Sequence, residues 1–122
     1  MPKIYLSPST QDWNMYVTGS GSEEYNMNLL ADALVPYLLS NGIQYQRNRP
    51  EMTAGSSIRE ANQGEYDLYL ALHSNAAPEG RYGEERGIIA FYYPGSVGGQ
   101  RAAELIAQEL RKIYPLPNKV TT

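Results

Sequence analysis

His73 is the only histidine among the 122 residues, and it stands where the apolar run Leu68-Tyr-Leu-Ala-Leu72 gives way to a polar loop. An imidazole just past the carboxyl end of a strand projects at the rim where open parallel sheets bind ligands. Its chemistry would be metal ligation or proton transfer, and the competing account is a hydrogen-bonded structural histidine. A second polar stretch, Ser7 to Ser22, is rich in Ser, Thr, Asn and Gly and ends at Glu23-Glu24. It is long for a bare connector and reads as a loop with a function. Acids in the first turn of a helix are favoured by the helix dipole, which accounts for both glutamates without any further role. The functional alternative is that one of them meets His73 at a metal. Imidazole plus carboxylate suits zinc, whose catalytic sites keep one position open for water.

The elements that must position these groups follow from periodicity. Lys3 to Leu6 reads as a strand stopped by Ser7-Pro8-Ser9. Leu29, Leu30, Ala33, Leu34, Tyr37 and Leu38 recur at helical spacing, so a helix is expected over about residues 22–40, with Ser20 and Glu23 as a capping box and Asn41-Gly42 ending it. Pro36 should kink or loosen its last turn. Ile43 to Arg47 reads as a strand, Ser56 to Asn62 as a short helix, and Asp67 to Leu72 as a strand buried on both faces. A strand over Gly87 to Tyr93 and a closing helix over about 97–113 follow, then a tail with Pro115 and Pro117 that has no pattern of its own. Strands separated by helices mean an α/β fold, a mostly parallel sheet flanked by helices in a single domain.

Composition narrows the partners. The chain is 42% apolar with a net charge of −3 and no basic run, so the electrostatic footprint of a nucleic-acid binder is missing. No apolar run is long enough to span a membrane, and the N-terminus lacks the charged and apolar regions of a signal peptide. The absence of cysteine excludes disulfides, thiolate metal sites and cysteine nucleophiles. Eleven tyrosines against one phenylalanine suit either a cleft for a polar ligand or the edges of sheets and helices.

Leu70-Ala-Leu-His-Ser-Asn-Ala76 resembles the Ser-Ile-His-Ala-Asn-Ala-like signature of the zinc-dependent N-acetylmuramoyl-L-alanine amidases, in which the histidine binds zinc. The resemblance runs in order along essentially the whole chain. Glu24 followed by Asn28-Leu29 has the spacing of the family's zinc glutamate, and Arg47-Asn-Arg-Pro50 lies where an Arg-x-x-Asp-like region follows the second strand. Arg59, Ala61 and Asn62 match an Arg and an Ala-Asn-like pair, and Arg86-Gly-Ile-Ile matches an Arg-Gly-hydrophobic strand. The resemblance implies a three-layer amidase fold, zinc held by Glu24 and His73, and substrate contacts from Asn75 and Arg59. It also implies peptidoglycan or muropeptide as partner, and an extracellular, cell-wall or spore location in bacteria. Arg81, Tyr82, Glu84 and Glu85 form a polar stretch beside the site, either a flap touching substrate or a solvated loop.

Two departures from the family pattern bear on activity. Thr10, in the turn Ser7-Pro-Ser-Thr-Gln11, occupies the place of the family's first zinc histidine. Gln11 is then the candidate third ligand through its side-chain oxygen, with Asp12 or Asn14 as substitutes. The family's general-base glutamate is expected beyond Thr122, so the chain reads as the amidase fold shortened at its C-terminal end. Three readings stand: a zinc amidase cleaving the N-acetylmuramic acid to L-alanine amide, with a substituted first ligand and a general base outside these 122 residues, so that this chain alone is expected to be inactive or impaired; a catalytically inactive muropeptide-binding module of the same fold; or an unrelated α/β protein in which His73 is structural.

Overall fold

The computed structural model describes residues 1–74, 80 and 86–122. Among these the chain is α/β, with parallel strands in two small sheets and three helices. It divides into two compact units, Met1–Asn75 and Ala76–Thr122. The expected strand and helix order is present throughout, but the strands form two sheets rather than one.

In the first unit, β1 (Lys3–Pro8) lies between β2 (Gln44–Arg47) and β3 (Leu68–Leu72), all parallel, with Ile4 opposite both Tyr45 and Leu68. The connections are α1 (Glu23–Ser40) and α2 (Ala54–Gln63). Side chains alternate across a strand, and here the two faces of β1 differ in chemistry. Ile4 and Leu6 pack with Ala31 and Leu38 of α1, joined by Leu34, Val35, Leu68, Leu70 and Leu72. Tyr5 and Ser7 point the other way. The Tyr5 ring stacks on Tyr69 at 5.5 Å and meets Tyr66 edge-on at 5.4 Å, and its hydroxyl donates to Glu60 of α2 at 2.9 Å. Ser7 Oγ accepts from Tyr69 and from Asn48, whose amide also reaches the Pro8 carbonyl and Ser57 Oγ. Every buried polar side chain among the described residues is thereby partnered, as a folded interior requires.

Local details differ from expectation for identifiable reasons. β3 is half-buried, not buried on both faces, because it is an edge strand of its sheet. The cap of α1 is Ser22, which accepts from the Tyr25 N–H, so Glu23 is the first helical residue and Ser20 takes no capping role. α1 continues through Pro36, and its end is tightened by the Asn41 N–H, shared between the Tyr37 and Leu38 carbonyls, with Gly42 in the left-handed region at φ 72°.

The second unit is a β-α-β turn of chain. β4 (Ile88–Phe91) pairs in parallel with β5 (Asn118–Thr121), and α3 (Val97–Arg111) buries Ala103 and Ala107. The tail therefore contains a strand, against expectation: its prolines precede β5, and the ladder rather than a side-chain pattern holds it. Gly87 has φ 117°, and a Cβ there would stand 2.2 Å from the Pro117 carbonyl oxygen, so this strand entry demands glycine. No helix among the described residues is long and apolar enough to cross a membrane.

Candidate functional site

The site lies within the first unit, beyond the carboxyl ends of β1 and β3. The Ser9 N–H donates to the Leu72 carbonyl at 2.9 Å, extending the β1–β3 ladder past both strands and bringing Ser9 and His73 to the same rim. The loop from residue 9 to 22 then returns to the start of α1. Its own backbone is stitched to that helix: the Glu23 N–H donates to the Asn14 carbonyl at 2.8 Å and the Glu24 N–H to the Gln11 carbonyl at 3.4 Å. These bonds occupy N–H groups that a helix N-terminus leaves without partners. From the other side, Arg47 at the end of β2 reaches Asp32 at 2.6 Å and Asn28 Oδ1 at 2.7 Å, pinning α1 over the sheet.

At the centre is the carboxylate of Glu23, only 2% exposed. Its Oε2 accepts from the Ser9 hydroxyl and lies 3.2 Å from His73 Nδ1. Its Oε1 accepts from the Ser74 N–H at 3.2 Å and from Asn14 Nδ2 at 3.5 Å. A carboxylate taken out of water needs such donors, because burial without them is costly. Ser9 is itself oriented by the Gln11 N–H, and the Tyr16 hydroxyl bonds to Ser74 Oγ. In a hydrogen bond between the two, Nδ1 donates to the carboxylate; a cation between them would take the place of that proton. The His73 side chain is 41% exposed, which gives the ring access to solvent.

Of the residues marked by sequence, His73, Gln11 and Asn14 stand in this cluster. Gln11 does so indirectly, its Oε1 accepting from Asn14 Nδ2 at 3.4 Å. The acid that meets His73 is Glu23 rather than Glu24. Glu24 is half-buried, and its carbonyl accepts from the Asn28 side chain. By helical period Glu24, seven residues before buried Ala31, lies about 20° from it around the helix and Glu23, eight residues before, about 80°, so periodicity favours Glu24. The loop bonds to the first turn select Glu23 instead. Arg59 is exposed on α2 with its guanidinium above Gly55, and makes no hydrogen bond or ion pair to a described residue. Thr10 and Asp12 contribute only backbone contacts, and Asn75, Arg81, Tyr82, Glu84 and Glu85 lie outside the described residues. Sequence reasoning missed Ser9 and Tyr16 as partners of the cluster, since hydroxyls in a polar loop look alike until the loop is folded.

A zinc ion about 2.0–2.1 Å from each of two tetrahedral ligands sets those ligands about 3.3 Å apart. The 3.2 Å between His73 Nδ1 and Glu23 Oε2 fits that spacing as well as it fits a hydrogen bond. The two side chains thus suit a divalent cation as two of its protein ligands. The remaining groups at the cluster, the Ser9 hydroxyl and the Gln11 and Asn14 amides, are neutral, and no group of three or more His, Cys, Asp or Glu side chains gathers among the described residues.

A separate ionic group lies on the opposite face of β1. The Tyr5 phenol is raised far above its ordinary range, first by burial and then by its bond to Glu60, while that bond and Arg49 at 3.0 Å lower the Glu60 carboxyl. This group braces α2 against the sheet.

Comparison with protein-family models, with curated proteins and with solved structures gives no match for this chain.

Proposed function

We propose that this protein is a peptidoglycan hydrolase of the N-acetylmuramoyl-L-alanine amidase type, cleaving the amide between N-acetylmuramic acid and L-alanine, with zinc held by His73 and Glu23. The observation that carries the reading is the meeting of a buried carboxylate with the only imidazole at the carboxyl ends of two parallel strands, 3.2 Å apart. The His-Ser-Asn-Ala resemblance supplies the substrate class. When bound, zinc would polarise the scissile carbonyl and lower the pKa of a water. The chain's own residues orient the two ligands. Ser9, Ser74 and Asn14 hold the Glu23 carboxylate beside the His73 ring, and the Gln11 and Asn14 carbonyls, accepting from the first turn of α1, hold the rim in place.

A second reading, recognition of muropeptide without turnover, is favoured by one observation. The Glu23 carboxylate is already satisfied by hydrogen bonds, and its further neighbours are neutral. Metal analysis and a muropeptide cleavage assay on the wild-type chain and His73→Ala decide between them. The amidase reading expects stoichiometric zinc and release of stem peptide, both lost in the variant. Unchanged zinc content and cleavage in His73→Ala would sink it, and muropeptide binding without zinc or cleavage would select the second reading.

A further inference from the structure

Tyr16 is half-buried in the loop that returns to α1, and its hydroxyl bonds to Ser74 Oγ, on the residue that follows His73. The segment carrying it is closed on itself. Met15 and Ser22 form an antiparallel bridge, the Tyr16 N–H donates to the Gly21 carbonyl at 2.8 Å, and the Gly19 N–H donates to the Tyr16 carbonyl at 3.1 Å. The phenol therefore projects from backbone fixed on both sides. Ser74 stands between this phenol and the buried acid: its N–H donates to Glu23 Oε1 at 3.2 Å, and its Oγ lies 3.5 Å from the same oxygen. A carboxylate accepts, so the Ser74 hydroxyl donates toward Glu23 and its lone pairs take the Tyr16 proton. The bonds run one way, from phenol to serine to carboxylate, and each polarises the next. Oε1 is held from this side, with Asn14 Nδ2 also at 3.5 Å, while Oε2 faces Ser9 and His73 Nδ1.

We propose that Tyr16 is a positioning residue for a divalent cation: acting through Ser74, it fixes the Glu23 carboxylate so that Oε2 and His73 Nδ1 keep the spacing of two metal ligands. The proposal rests on the metal site of the reading above and not on its substrate. Groups that orient a ligand from behind carry about tenfold or more of the metal affinity at such sites. Without the phenol, the Ser74 hydroxyl is free to turn from Glu23 to solvent, and the carboxylate loses the donor that holds its far oxygen.

The full chain is titrated with zinc in competition with a chromophoric chelator, and the melting temperature of the zinc-free protein is measured beside it. Tyr16→Phe removes only the hydroxyl and should weaken zinc binding about tenfold. Ser74→Ala, which keeps the backbone bond to Glu23, should weaken it at least as much. Adding Tyr16→Phe to Ser74→Ala should bring no further loss, because the phenol acts through that serine. Thr18→Ala, in the same loop, removes a hydroxyl bonded to Ser20 Oγ and should leave zinc affinity unchanged. If Tyr16 merely braces the loop, Tyr16→Phe lowers the melting temperature and binds zinc as tightly as wild type. That result overturns the proposal and leaves the metal site standing. Losses that add in full in the double variant also overturn it, since the phenol then acts by another route. A wild-type chain that takes up no zinc refutes the metal site and the proposal together.

Discussion

Replacing Glu23 by glutamine tests the centre of the site without creating a cavity. The amide keeps one acceptor oxygen and turns the other into a donor. The Ser74 N–H on Oε1 cannot reverse its role, so the new NH2 should take the Oε2 position, where the Ser9 hydroxyl can rotate to accept. What is lost is charge: bonds to an ionised acceptor contribute about 1.5–3 kcal/mol each, against about 0.5–1.5 for neutral ones. The contact with half-exposed His73 is discounted for screening. With Ser9, Ser74 and Asn14 counted at about 1 kcal/mol or less each, Glu23→Gln should cost about 2–3 kcal/mol. In a domain of this size that lowers the melting temperature by about 10–20 °C. Glu24→Gln, half-buried and outside the cluster, should cost about 0.5 kcal/mol or less. Urea melts at pH 7 followed by circular dichroism measure both. If the two variants fall within about 0.5 kcal/mol of each other, the buried carboxylate is not organised as described.

Other consequences concern the sheet and the second unit. The lowered Glu60 carboxyl contributes stability that is complete above its unfolded pKa of about 4.3 and is lost as pH falls through the lower folded value. Glu60→Gln should therefore be less stable than wild type at neutral pH, with the difference closing below about pH 4, as denaturant melts at pH 7 and pH 3 would show. Gly87→Ala must place a methyl group against the Pro117 carbonyl at a backbone angle that disfavours it, so β5 should detach from β4 at a cost of about 1–3 kcal/mol. Hydrogen exchange at the Ile88 and Tyr92 amides, which donate to Pro117 and Thr121, should accelerate while Tyr5 and Leu6 keep their protection. Equal protection at Ile88 in the variant and the wild type would contradict this.

The strand at Lys3 to Leu6, the helical spacing of Leu34 and Leu38, and the break at His73 were readable from the sequence because local geometry enforces periods of two and 3.6, although Ser7 and Pro8, expected to stop the first strand, belong to β1. Those signals determined the α/β class, the order of the elements and the rim position of the histidine. They did not determine β5, whose four residues are fixed by pairing with β4 and by the Asn118 side chain bonded to α3. Nor did they select Glu23: the helical period places Glu24, seven residues before buried Ala31, nearer the buried face. That choice was made by the loop from residue 9 to 22, whose carbonyls capture the first amides of α1 while Ser9, Asn14 and Ser74 converge on one of the two acids. Donors from positions 9, 14 and 74 meet only when β1, β3 and α1 are packed, so the partner of His73 was fixed by long-range hydrogen bonding to a buried charge rather than by any spacing along the chain.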